Sequence, residues 1–180
     1  MKLPKIRVAT YRLTPYTEEH DALTVVWLNR PDIVETFGLS RSVTRESHRR
    51  WVESAKGVLI WAVVDGKSDH CANVLLHLNE NNRSGYFQIY VGDPVRRGLG
   101  LGTAALRATL KIGFTELGLH RIWLHTIQGN DAAVRIYRKA GFVFEGKERD
   151  AIFRDGKFFY QCRWSMLARE WLSQNEAQVQ

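Results

Sequence analysis

The sequence predicts an α/β (α+β) fold built on a mixed, mostly antiparallel sheet of about seven strands with helices on both faces. Three observations carry this. Residues 58–91 hold three apolar, strand-like runs parted by short polar turns, residues 99–140 alternate helical and strand periodicity, and two last apolar runs flank an Asp-Gly turn. Turns this short join antiparallel neighbours, whereas a strand followed by a long helix and another strand needs a parallel crossover.

Residues 5–13 alternate well enough for one strand. Thr17, followed by Glu18, Glu19 and Asp21, reads as an N-cap opening a helix through Trp27 and Leu28, and Pro31 ends it because the residue before a proline leaves the α region. A connecting loop follows from Pro31 to Val43, carrying Asp32, Glu35 and Arg41. Thr44 caps a second helix reaching about Lys56, and Gly57 stops it.

The three strand-like runs are Val58 to Val64, Ala72 to Leu78 and Tyr86 to Val91. After Pro94 the period changes to 3.6, with Leu99, Ala104, Leu106, Leu110, Ile112, Phe114 and Leu117 on one helix that ends at Gly118. His120 to Ile127 is a short strand, Asp131 to Ala140 a short helix closed by Gly141, and the runs from Phe142 towards Phe153 and from Phe158 to Leu167 form a hairpin about Asp155-Gly156.

At 180 residues, with 44% hydrophobic and 25% charged residues, the chain has the composition of an ordinary globular protein. It can bury roughly 70% of its unfolded surface without staples. One domain over 1–170 and a polar tail over 171–180 are expected. Cys71 and Cys162 are too few for a CxxC metal or redox site and read as free thiols of a reducing, cytoplasmic compartment. No apolar window of about 18 residues or secretory h-region is present, so a membrane is not an expected partner. The formal net charge of +7 favours an anion without naming it.

Arg96-Arg97-Gly98-Leu99-Gly100-Leu101-Gly102-Thr103 lies between a strand and a long helix. Three alternate glycines let backbone N–H groups approach an anion, and the helix N-terminus adds unsatisfied donors and the positive end of its dipole. Arg96 and Arg97 would supplement the charge, and Thr103 offers a hydroxyl. Neither GxxxxGK[ST] nor GxGxxG fits, which takes weight from ATP and NAD.

Arg97 to Gly102 resembles the R/Q-x-x-G-x-G/A signature of the GCN5-related N-acetyltransferase (GNAT) superfamily, and Asn130 to Phe142 resembles its second signature, N-x-x-A-x-x-x-Y-x-x-x-G-F. The order of elements also matches, so the resemblance covers nearly the whole chain. Tyr11-Arg12-Leu13, Trp27-Leu28-Asn29 and Phe144-Glu145-Gly146 are most similar to the branch holding ribosomal-protein, polyamine and amino-sugar acetyltransferases.

The resemblance implies acetyl-CoA as cosubstrate, no metal, and direct transfer of acetyl to a primary amine on a small molecule or peptide, with a homodimer plausible. It implies that Arg97, Gly98, Leu99, Gly100, Leu101, Gly102 and Thr103 hold the pyrophosphate. Ile89, Tyr90 and Val91 would pair with the pantetheine arm, which enters a splay between the family's fourth and fifth strands. Asn130, with Ala133 beside it, would reach the cofactor. Val91 would offer a backbone N–H to the oxyanion, and Tyr137 would be the acid for the departing thiolate. Such transfer needs a held acyl donor, an oxyanion donor and a proton for sulfur.

The sequence departs from the family where a base is common, since Tyr86 to Val91 contains no carboxylate. Water relayed to a more distant group, or an acceptor amine already partly neutral, would serve instead; His77 and Glu35 are the best substitute side chains, and His48 with Trp51 could line the acceptor pocket or simply pack. The acceptor could be a cationic amine, a protein N-terminus or a nucleotide-linked amino sugar; the Arg and aromatic residues of the last hairpin favour one bearing negative charge. Two other classes compete. A non-catalytic acetyl-CoA sensor would explain the missing carboxylate. A nucleic-acid module would use the aromatic and basic run 149–160, but acids interrupt that run and no helix carries a basic recognition face, so nucleic acid is not an expected partner.

Overall fold

The structure, a computed structural model, describes residues 6–8, 11–37, 39 and 42–176. Lys5, Ala9 and Thr10 of the expected first strand, Arg41 of the expected loop and 177–180 of the expected tail lie outside the described residues. The chain gathers into two compact units, residues 1–77 with 88–108 and residues 78–87 with 109–180. No described helix is long and apolar enough to cross a membrane.

In the first unit the expected single strand is two, β1 (Ile6–Val8) and β2 (Tyr11–Pro15), which pair antiparallel with Val8 opposite Tyr11. Alternation continues through both arms, and no Gly or Pro marks the reversal. β2 pairs with β3 (Val58–Asp65), and β3 with β4 (His70–Asn79), both antiparallel; the strand order continues to β5 (Ser84–Val91).

Thr17 does open a helical segment, its N–H donating to His20 Nδ1 at 3.0 Å. The first turn, Glu18–His20, is 3₁₀, and α1 proper runs over Asp21–Leu28. The expected loop contains a further helix, α2 (Pro31–Phe37). The proline that stops α1 also starts α2, because its fixed φ and missing N–H suit the first helical position. α3 (Arg45–Ser54) starts as expected, with Thr44 Oγ1 accepting from Ser47 N at 3.1 Å and Ser47 Oγ accepting from Thr44 N at 2.9 Å.

The core of this unit gathers Trp27, Leu28, Ile33, Leu75 and Tyr90, with Phe37, Val58 and Ile60 packed against them. Two polar networks are buried with it. Asp21 accepts from Tyr16 OH at 2.9 Å and from Arg49. Asn73 Nδ2 donates to Thr24 Oγ1 at 2.8 Å and Tyr90 OH at 2.9 Å, while its Oδ1 faces His70 Nε2 at 2.8 Å. Burial moves the His70 pKa down to about 4, so the ring is neutral near pH 7 and donates to Asn73.

In the second unit the strand order is β5, β6 (Arg121–Ile127), β8 (Lys157–Leu167), β7 (Val143–Arg154). β5 and β6 pair in parallel, the expected crossover, over three positions from Ser84–Arg121 to Tyr86–Trp123. Beyond that ladder β6 continues to Ile127, paired with β8. Asp155 (φ 49°) and Gly156 (φ 74°) form the two-residue turn between β7 and β8, the backbone of a type I′ hairpin.

The long helix is shorter than its periodicity suggested. α4 covers Leu101–Lys111 and passes into a π turn over Ile112–Glu116. Ile122, Leu124, Trp164 and Met166 are buried on one side of the sheet, with Phe142 and Tyr137 also buried. The expected tail is helical as far as Glu176, in α6 (Ala168–Glu176). Trp171 of that helix packs on Phe114 at 5.8 Å, an apolar anchor inside a polar stretch. Cys71 and Cys162 are free thiols.

Two measurements test this packing. A Cβ at Gly92 would lie 1.8 Å from Trp27 Cδ2, whereas one at Gly66 meets nothing within 4 Å. Gly92→Ala is expected to lose about 2 kcal/mol or more in urea unfolding through overpacking, and Gly66→Ala about 0.5 kcal/mol or less. In the second unit Glu145 accepts from both terminal nitrogens of Arg121 and from Ser165 Oγ. Arg121 chiefly holds its carboxyl from the ordinary 4.5 down to about 2. A depressed carboxyl stabilises the fold above its unfolded value, and that contribution is lost as pH falls through the folded one. The urea midpoint of the wild type should therefore fall between pH 4.5 and 2 more steeply than that of Glu145→Gln; parallel curves would refute it.

Candidate active site

The glycine turn sits in the first unit, directly after β5. Gly92 N and Asp93 N both donate to Cys71 O, at 3.0 and 3.1 Å, which turns the chain out of the strand. Asp93 Oδ1 accepts from Val95 N at 3.0 Å and caps a 3₁₀ turn over Pro94–Arg96. Gly98 and Gly100 then adopt φ of +75° and +83°, left-handed values that disfavour a side chain. No neighbour crowds either position, so conformation rather than space calls for glycine there.

α4 begins at once, Ala104 N donating to Gly100 O at 2.9 Å. The first-turn amides of Leu101, Gly102 and Thr103 have no intrahelical acceptor. α3 is capped by the Thr44 side chain and α5 (Asp131–Ala140) by that of Asn130, whereas the residue preceding α4 is a glycine with no side chain to offer. Leu101 is buried and fixes the helix start, while Leu99 is exposed. These residues fit an anionic phosphate group through backbone donors.

The two arginines are engaged elsewhere. Arg96 Nη2 lies 2.6 Å from Asp65 Oδ2, and its Nε lies 3.4 Å from Asp93 Oδ2. Burial raises the Asp65 pKa, but the amides of Asp69 and Lys67 and the Arg96 charge outweigh it and hold the carboxyl low. Arg97 donates to Val91 O from Nε at 3.2 Å and Nη2 at 2.9 Å, and pairs with Asp32. In this conformation carboxylates from the end of β3, the chain after β5 and α2 hold both side chains. Sequence reading passed over Arg30 and Asp65 and took Asp32 only as part of the loop over 31–43; the Pro-Asp pair opening α2 was the local signal.

On β5, Ile89 and Val91 are half-buried. Tyr90 is buried, and burial raises its pKa, so it is neutral and bonded to Asn73. His77 Nε2 meets Gln88 Oε1 at 2.8 Å, and Glu35 lies on the exposed part of α2. His48 is buried, with Nε2 at 2.9 Å from Tyr16 OH and 3.6 Å from Asp21 Oδ1. Burial lowers its pKa. It belongs to the buried Asp21 network rather than to an exposed lining, with Trp51 stacked on it at 6.0 Å.

The second signature lies in the second unit. Asn130 Oδ1 accepts from Ala133 N at 3.2 Å, so its side chain caps α5. Gly141 ends α5 at φ +92°, its N–H on Arg138 O and Tyr137 O. Tyr137 is buried, edge-to-face on Phe87 at 6.4 Å and tilted on Phe142 at 5.7 Å. Burial raises its phenol pKa above the usual tyrosine value.

The profile of the family described as acetyltransferase (GNAT) domain matches residues 11–143, and the chain belongs to that family. It is 31% identical over 102 residues to spermidine N(1)-acetyltransferase of Escherichia coli (strain K12), a stretch covering 57% of this chain and 54% of that enzyme. The chain thus spans about half the length of that relative. It is 30% identical over 149 residues to YdaF of Bacillus subtilis (strain 168), provisionally named a ribosomal N-acetyltransferase, covering 81% of this chain and 78% of YdaF. The crystal structure of Vibrio cholerae spermidine N-acetyltransferase with CoA and spermine has a TM-score of 0.85 at 23% identity, over 92% of this chain and 99% of that one, which shows the same fold.

The cap assignment has a direct check. Asn130→Ala should cost about 1 kcal/mol of stability while Asn130→Asp costs a few tenths, read from thermal or urea unfolding; equal losses would mean the side chain does something other than cap.

Proposed function

We propose that this chain moves the acetyl group of acetyl-CoA directly to a primary amine in a ternary complex, with polyamines as the acceptor class. The observation that carries this is a helix, α4, that opens on Gly100 after two left-handed glycines, its first-turn amides available to a pyrophosphate. The acceptor class rests on the spermidine acetyltransferase relatives. They outweigh the hairpin's arginines, which had favoured an anionic acceptor.

Bound acetyl-CoA supplies an acyl carbon activated as a thioester. The amides of Leu101, Gly102 and Thr103 orient the pyrophosphate, and the strand end at Ile89 to Val91 aligns the arm. Val91 N–H donates to the carbonyl oxygen as it gains charge. The amine nitrogen bonds to the acyl carbon, the carbon–sulfur bond breaks, and the Tyr137 phenol gives sulfur its proton; the amine's surplus proton leaves through water, from which the phenol is reprotonated. Burial keeps that phenol protonated throughout the neutral range. His77 and Glu35 are the candidate acceptors for the amine proton.

Acetyl-CoA-dependent thiol release should be measured with spermidine, spermine, an alanyl N-terminal peptide and an amino sugar. Polyamine kcat/KM at least tenfold above the others supports the reading; turnover of the peptide alone transfers it to a protein N-terminus. CoA binding without turnover of any amine supports a sensor instead. Tyr137→Phe should keep CoA affinity within about twofold and lose at least about tenfold in kcat, the range of general-acid effects. Unchanged turnover removes Tyr137 from the chemistry.

A further inference from the structure

The residues that end β5 are held from two directions. The Gly92 and Asp93 amides both donate to Cys71 O, while the Val91 and Gly92 carbonyls accept from two guanidinium groups. Val91 O receives Arg97 Nε and Nη2 at 3.2 and 2.9 Å, and Gly92 O receives Arg30 Nη1 at 3.1 Å. One carboxylate joins the two cations. Asp32 Oδ1 accepts from Arg30 Nε at 3.1 Å, and its Oδ2 accepts from Arg30 Nη2 at 3.2 Å and from Arg97 Nη1.

We propose that Asp32 is a positioning residue for the proposed transfer, acting through Arg30 and Arg97 to fix the Val91–Gly92 backbone against the glycine turn. The inference rests on the acetyltransferase reading for its catalytic consequence only. Two like charges converge on adjacent carbonyls, and a single negative charge lets them do so. Without it they repel, and the forked grip of Arg97 on Val91 O loosens. Val91 is the residue whose N–H is proposed to meet the carbonyl oxygen, and Arg97 is the first residue of the glycine turn, so one side chain sets the donor relative to the pyrophosphate site. An error of about 1 Å in such a constellation can cost about a hundredfold in rate. Asp32 touches no reacting atom in this scheme.

The test uses Asp32→Asn, which keeps shape and removes charge, assayed at least 15 °C below each variant's Tm. Hydrogen exchange at the Gly92 and Asp93 amides should rise at least tenfold, and kcat on the best amine should fall about tenfold. Adding Arg30→Gln to Asp32→Asn removes the repulsion and should recover kcat to within about threefold of wild type, which lost packing alone would not do. Exchange and kcat both within twofold of wild type overturn the proposal, and so does a double variant no better than the single. If wild type turns over no amine but the exchange rises as stated, the latch stands and the transfer reading falls. Should Asp32→Asn not fold, Arg30→Lys gives up the fork on Gly92 O and Asp32: raised exchange at Gly92 supports the latch, and unchanged exchange overturns it.

Discussion

The first unit turns on a side chain that is missing. The Trp27 indole lies where a Cβ of Gly92 would be, so α1 reaches the backbone at the end of β5. That approach brings Trp27 into a cluster with Leu28, Ile33, Leu75 and Tyr90. It also fixes where the chain leaves the strand, and the Asp93 cap, the 3₁₀ turn and the two left-handed glycines follow within eight residues. A dense core resists displacement, so the glycine turn inherits its position from an apolar contact rather than from its own sequence.

Buried polar chains supplement that packing. Thr24, Asn73, Tyr90 and His70 tie α1, β4 and β5, and Tyr16, Asp21, His48 and Arg49 tie the start of α1 to α3. Buried polar groups are costly when half satisfied and specify one arrangement when fully satisfied. Removing the Asn73 amide would strand several partners together. His48 joins the second of these networks through Tyr16 and Asp21.

The legible parts of the sequence were those whose signals are local. The Thr44 cap, the Asp155-Gly156 turn and the whole of α5, from Asn130 to Gly141, are set by residues within a few positions of one another. The glycine turn was legible for the same reason, since left-handed backbone selects glycine. The reversal between β1 and β2 carries no breaker, α2 was hidden behind a proline that both ends and begins a helix, and α6 was masked by polar composition although Trp171 anchors it. The partners of Arg96 and Arg97 were out of reach, because Asp65 and Asp32 are distant in sequence and only folding chooses them. The parallel ladder of β5 and β6 was inferred from connectivity, but its end at Tyr86–Trp123 depends on strand geometry that no residue pattern encodes.

The pairing of Arg96 and Arg97 also alters how the chain's surplus positive charge can act. With Asp65, Asp93 and Asp32 beside them, the two guanidiniums carry little net charge past the first shell of water, and the turn presents peptide dipoles instead. A dipole's field dies away faster than that of a free charge, so on the proposed reading the turn would act on an anion already in contact and do little to gather one from bulk solution. Long-range attraction of a polyanion then falls to lysines and arginines elsewhere on the surface. On that reading capture and recognition would belong to different parts of the molecule: ionic strength would govern the first, and the backbone geometry around Gly98 and Gly100 the second.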